Sequence, residues 1–136
     1  MPGTLSRDGS WAEPWNLFEV LMSRLFLFLA CVLGFAVVAL AAAGAHLFPG
    51  DALFQTALQM QAWHVPVVLA VGVWLRVGGG VWVRAGGGAL VLGLVLFCGA
   101  LYAHAVTGVS LGPVAPVGGT LMMLGWLGLA VAAARG

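Results

Sequence analysis

A chain of 136 residues is the size of one domain, and 62% of it is hydrophobic against 7% charged, whereas soluble domains run near about half apolar and about a quarter charged. That excludes a water-soluble fold. Five basic and four acidic residues and a mean hydropathy of +1.10 also exclude a disordered tail and a nucleic-acid-binding module, because neither the charge density nor a basic patch is present.

Residues 1–22 differ from the rest and hold Arg7, Asp8, Glu13, Glu19 and two prolines. Trp11, Trp15, Phe18 and Met22 recur at the spacing that lines one helical face, with Pro14 near a plausible start. The segment reads equally well as an amphipathic helix on the membrane surface or as an extension without regular structure. Met22-Ser23-Arg24 would by itself open a self-sufficient membrane chain.

Residues 23–136 form the membrane domain. A spanning helix needs about 20 mainly apolar residues, and four stretches qualify: Leu25 to Leu47, Leu53 to Leu75, Ala85 to Val106 and Pro116 to Ala134. Between them lie Phe48-Pro49-Gly50-Asp51, the Arg76 to Arg84 segment with Gly78-Gly79-Gly80, and Thr107 to Ala115, all turn chemistry. Hydrocarbon offers backbone groups no water, so these stretches must be helices despite their glycines. The expected fold is an all-α integral membrane four-helix bundle. Ala39-Leu40-Ala41 resembles a signal-peptidase site, but the apolar run is too long for a cleaved signal. The apolar region before Cys31 is too short for a lipid-attachment signal.

Orientation follows from the arginines, since basic residues beside spans stay on the cytoplasmic side. Arg7 and Arg24 precede the first span, Arg76 and Arg84 bracket the second loop, and Arg135 follows the fourth; the first and third loops have none. Both termini are expected in the cytoplasm, with Trp74 and Trp82 as interfacial anchors.

Polar side chains at depth are functional candidates by default. No Asp, Glu, Lys or Arg lies inside a span, which leaves His46, Gln55, Thr56, Gln59, Gln61, His64, Tyr102, His104 and Thr120. Proton-driven four-helix exporters need an embedded carboxylate, so that class is disfavoured. Gln61 and His64 share a face near the midplane of the second span, while Gln55 and Gln59 share a nearly opposite one. This helix should therefore touch protein on two sides, centrally in the bundle or at an oligomer interface. Pro66 cannot donate to the Ala62 carbonyl, which leaves that acceptor free beside Gln61 and His64. Interhelical hydrogen bonding is the leading reading of this group. The alternative is a small-molecule, ion or proton binding or transport site, since imidazole titrates in the physiological range.

No cofactor and no metal are expected. A bis-histidine haem fails on depth, because His64 lies near the middle and His46 and His104 near the outer ends, roughly 12 Å apart in height. A metal or haem-edge site at His46 and His104, with Tyr102 beside them, is the lesser alternative. Cys31 and Cys98 differ in height by roughly 10 Å, too far for a disulfide, and read as small buried hydrophobes. Gly86-Gly87-Gly88 lacks any phosphate-loop context.

Glycine numbers 21, and small residues let helix backbones approach closely in lipid. Ala41 and Ala45, Ala85, Ala89 and Gly93, and Gly128 and Ala132 stand four apart and are expected to be helix contacts, together with Gly118 and Gly119. Trp63 and Trp126 are expected to fill the gaps opposite them.

Four strings occur in order from Met22 to about Ala134: Gly44-Ala45-His46; Thr56-Ala57 with Gln61-Ala62-Trp63-His64; Leu96-Phe97-Cys98-Gly99-Ala100-Leu101-Tyr102; and Ala115-Pro116-Val117-Gly118-Gly119 with Gly125-Trp126. On these residues the chain resembles the small four-span membrane proteins grouped as domain of unknown function 423, which takes in YgdD-like and transmembrane protein 256-like chains. The resemblance implies the fold and puts His46, Gln61, His64, Tyr102, Pro116, Gly118 and Gly119 on characteristic positions, with His104 off them. It implies no activity. Cys98 stands where that family usually has serine, which removes a hydroxyl contact, and Met60 where an aromatic is frequent.

The expected function is therefore a structural or accessory component of the inner (cytoplasmic) membrane, packed in lipid against itself or a larger complex through its glycine faces, and not an enzyme. The alternative is a binding or transport module using His46, Gln61, His64 and Tyr102.

Overall fold

The computed structural model describes residues 17–135. Four α-helices follow one another: α1 Leu17–Leu47, α2 Ala52–Arg76, α3 Gly80–Thr107 and α4 Val114–Arg135. Each is long and apolar enough to cross a membrane, so the chain is an all-α membrane bundle with the expected element order. The short connections make neighbours antiparallel. Arg24, Arg76, Arg84 and Arg135 consequently gather at one end of the bundle, the arginine end, and His46 and His104 lie toward the other.

Helix ends differ from the expected spans where local chemistry extends them. From Leu17, the first described residue, α1 is already helical, so Phe18 and Met22 belong to the same rod as the span expected from Leu25. Arg84 ties this segment to α3, with Nη1 3.1 Å from Glu19 Oε1 and the guanidinium 5.4 Å from the Phe18 ring centre. Trp11 and Trp15 lie outside the described residues. α2 starts where the Asp51 carboxylate accepts the Phe54 N–H at 2.8 Å, an N-cap that satisfies one of the helix's orphan donors. α3 starts at Gly80 instead of Ala85, because Gly78 and Gly80 take positive φ (103° and 65°) and compress the turn. Pro116 sits in the first turn of α4, where its missing N–H costs nothing.

Packing follows a seven-residue rhythm. On α2 the buried residues include Phe54, Ala57, Gln61, His64, Val68, Val71 and Leu75; on α4 they are Gly118, Met122, Gly125, Leu129 and Ala132. Alternating steps of three and four give the 3.5-residue repeat of left-handed bundles crossing at about +20°. α3 carries two such seams. Gly86, Leu90 and Gly93 meet α4, while Gly87, Leu94 and Cys98 turn toward α1 and α2. A Cβ on Gly93 would lie 2.6 Å from both the Gly118 carbonyl oxygen and the Met122 nitrogen, and one on Gly125 would lie 2.7 Å from the Leu90 nitrogen. The backbones of α3 and α4 are therefore in direct contact.

This corrects part of the expected stripes. Gly93, Gly128 and Ala132 pack as expected, but Ala41, Ala45 and Ala85 are exposed. The closest backbone approaches fall on glycines seven apart, Gly86 with Gly93 and Gly118 with Gly125, inside the bundle. A pattern of four suits one right-handed contact between two helices, whereas these helices follow one another over several turns and keep the 3.5 rhythm.

The largest apolar cluster, at the arginine end, joins Phe26 and Ala30 of α1, Val68, Val71 and Leu75 of α2, Val83 and Leu90 of α3, and Leu129 and Ala132 of α4. Helix α1 is the most exposed of the four, with Phe28, Phe35 and Val38 turned fully outward.

Candidate functional site

The chemistry-bearing residues gather on the α2 seam. Gln61 and His64 are 4% and 8% exposed, the most buried polar side chains of the described residues apart from Ser23, and each is drawn toward a different neighbour. Gln61 Nε2 donates to the Leu33 carbonyl of α1 at 3.1 Å, and its Oε1 accepts the Tyr102 hydroxyl of α3 at 3.0 Å. A single amide thus ties three helices, using one donor and one acceptor.

His64 points the other way round the seam. Its Nδ1 lies 2.7 Å from the Met60 carbonyl and its Nε2 3.3 Å from Trp126 Nε1 of α4. A carbonyl only accepts and an indole N–H only donates. Both contacts hold together in one protonation state alone: neutral imidazole with the proton on Nδ1. The ring borders a cleft of about 210 Å³ with Phe97, Met122 and Met123, an apolar and polarisable surrounding.

An aromatic stack buttresses Tyr102. The Phe54 ring lies edge-on to it at 5.0 Å between centroids, and Phe48 stacks on the far side of Phe54 at 5.0 Å. Phe54 is buried against Gly44, where a Cβ would come within 2.6 Å of the ring. The glycine two places before His46 thus makes room for the ring that supports the tyrosine. One turn along α2, Cys98 Sγ donates to the Ala57 carbonyl at 3.4 Å. The thiol thus supplies a contact of its own between α3 and α2.

Of the four candidate cluster residues the structure joins Gln61 and Tyr102 by a direct hydrogen bond and places His64 one turn away on its own link. His46 is exposed on the last turn of α1 and stands apart from them. The Ala62 carbonyl, expected beside Gln61 and His64, is reached by neither, since Gln61 crosses to Leu33 and His64 bonds within its own helix. His104 lies half-buried in the last turn of α3, where its carbonyl receives the Gly108 N–H at 2.8 Å. Among the described residues no three metal-ligating side chains converge.

The packing candidates fall on both sides of the α3/α4 contact. Gly93 and Gly118 face each other, Gly128 lies against Gly86, Gly119 faces the Phe97 ring, and Ala89 is half-buried. Trp63, expected to fill a gap opposite small residues, is instead 65% exposed. Trp126 is also partly exposed, but its indole edge holds His64.

Gln55, Thr56 and Gln59 lie on the outward face of α2. Together with Val37 and Ala41 of α1 they line a shallow cleft of about 490 Å³. Thr56 Oγ1 turns back to the Ala52 carbonyl at 2.8 Å; the two glutamine amides face outward. The expectation that α2 is bounded by protein on both faces is therefore met on one face within this chain.

Sequence reasoning missed the partners rather than the principals. Leu33 and Met60 contribute through their carbonyls, which no side-chain pattern marks. Phe54 was legible, since it precedes Gln61 by seven residues on the same seam. At the arginine end, the pairing of Glu19 with Arg84 joins residues 65 apart in sequence, and the Arg135 guanidinium stands 4.9 Å over Trp82; neither shows in local spacing.

The family described as "Protein of unknown function (DUF423)" matches residues 40–119. The chain is 35% identical over 120 residues to the UPF0382 inner membrane protein YgdD of Escherichia coli K12, covering 83% of this chain and 92% of that protein. It is 34% identical over 116 residues to a UPF0382 membrane protein of Haemophilus influenzae (80% and 93%), and 29% identical over 123 residues to the UPF0382 membrane protein YwdK of Bacillus subtilis (82% and 98%). No solved structure matches. With a four-helix membrane bundle, the family's pattern over well over half its length and relatives of nearly the same extent, the chain belongs to the DUF423 family of membrane proteins.

Proposed function

We propose that this protein is a non-catalytic structural or accessory component of the inner membrane, inserted with both termini in the cytoplasm. One observation carries the reading: the deep polar groups are already committed to holding helices together. Gln61 bridges α1 to α3, and His64 has both ring nitrogens engaged. A transport path needs polar groups that face a passage and exchange partners, and these face protein. The arginine end supports the orientation, since basic residues flanking spans are retained on the cytoplasmic side. Most of the glycines that touch another helix are consumed inside the bundle, chiefly between α3 and α4, so association with other proteins falls first to the exposed flanks of α1 and α2.

The test is native extraction of the full chain in lipid particles, with an absorption spectrum and identification of what accompanies it. A stoichiometric protein assembly supports the accessory reading. A lone chain carrying a small molecule, or a Soret band, would overturn it in favour of a binding or haem protein. Tags on the two termini should both report from the cytoplasm; opposite compartments would refute the orientation.

A further inference from the structure

The outward face of α2 poses a problem that the bundle leaves unsolved. Gln55 and Gln59 stand one turn apart, both exposed, on a segment that begins at Asp51 and runs into the membrane. At about 1.5 Å per residue they lie roughly 5 and 10 Å below the start of the helix. Lipid tails cannot hydrogen-bond an amide, so polar side chains at such depth face protein or water-filled space. The α1 surface beside them is shallow and small, with Ala41 lining the same cleft and Ala45 exposed one turn on. That permits another helix to approach closely.

We propose that this face is a twofold interface between two copies of this chain, in which Gln55 and Gln59 of one copy pair with Gln55 and Gln59 of the other. It rests on the accessory reading and names the partner. The chemistry of the face selects a second copy. A primary amide carries donors and acceptors in one group, so identical residues meeting across a twofold satisfy each other reciprocally, as an isologous contact requires. The face carries no charge that would call for an opposite charge from a different protein. The arginine distribution gives both copies one orientation, which sets the twofold along the membrane normal. The two α2 helices then run parallel, and equal depths meet: Gln55 with Gln55 in one layer, Gln59 with Gln59 in the next.

The experiment uses the full chain in native membranes with Cys31 and Cys98 replaced by serine. Gln59→Cys is expected to form an oxidant-dependent adduct of twice the chain mass, and Leu124→Cys, on the exposed side of α4, none. In parallel, single-molecule photobleaching of the otherwise unaltered chain in vesicles is expected to show two steps. Gln55→Leu with Gln59→Leu is expected to weaken association at least tenfold, with the helical spectrum retained. A Gln59→Cys adduct with a different protein would overturn the second copy and leave the accessory role standing. Single bleaching steps with no adduct would overturn the interface, and a small molecule on that lone chain would overturn both.

Discussion

Replacing Gln61 with leucine removes a side chain whose hydrogen bonds tie α2 to both α1 and α3. The volume is nearly kept, so the effect is that of two interhelical hydrogen bonds, each about 0.6 kcal/mol in a membrane protein, or roughly 1.2 kcal/mol together. The Leu33 carbonyl retains its own helical bond and loses little. The Tyr102 hydroxyl, held by the Phe54 ring, is left without its acceptor, and an orphaned polar group costs about 1–3 kcal/mol. We therefore expect Gln61→Leu to destabilise the bundle by roughly 2–3 kcal/mol. Tyr102→Phe should cost about 1–2 kcal/mol for the mirror-image reason, because Gln61 Oε1 is then orphaned. The double variant has no orphan across that link. Its loss should fall short of the sum of the singles by about 1 kcal/mol, a coupling typical of residues in one network. Reversible unfolding in bicelles, read by steric trapping, measures all four corners of the cycle. Additivity to within about 0.3 kcal/mol would refute the link between Gln61 and Tyr102.

Three further outcomes follow from other contacts. Gly93→Ala places a methyl 2.6 Å from two backbone atoms of α4 and should cost roughly 1–3 kcal/mol as overpacking, while Gly88→Ala, with nothing within 4 Å, should cost nothing in the same unfolding assay. Asp51→Ala removes the cap on Phe54 N and should lower stability by about 1 kcal/mol, with faster amide exchange confined to the first turn of α2. Trp126→Phe should cost about 1–2 kcal/mol, because the buried His64 Nε2 loses its donor. In nitrogen-15 spectra His64 should show a protonated Nδ1 and an unprotonated Nε2, with the Nε2 resonance moving in that variant; a protonated Nε2 in the parent protein would refute the tautomer.

The spans were legible because hydrocarbon imposes one backbone solution on long apolar runs. Gln61 and His64 stood out for the same reason: polarity at depth is costly enough to be purposeful. What could not be read was direction. Periodicity gave Gln61 and His64 a common face, yet one reaches α1 and α3 and the other α4, because a seam residue in a bundle looks into the junction between two neighbours. Free backbone acceptors misled as well. The Ala62 carbonyl is released by Pro66 as expected, but Met60 and Leu33 carbonyls already bonded within their helices take the second hydrogen bonds. The glycines were visible and their rhythm was not, since 21 of them supply pairs at spacings of both four and seven, and only contact chooses between these.

The three-way hold of Gln61 bears on how the chain is made. As the hairpin of α1 and α2 leaves the insertion machinery, its amide has found Leu33, but its oxygen waits for a tyrosine 41 residues further on, and His64 waits longer still for Trp126. A nascent fragment halted before Gly80 shows the bilayer an unfinished amide and imidazole. Polar groups at depth are costly until they face protein, so the interior that steadies the mature protein is complete only once α4 has joined the other three helices.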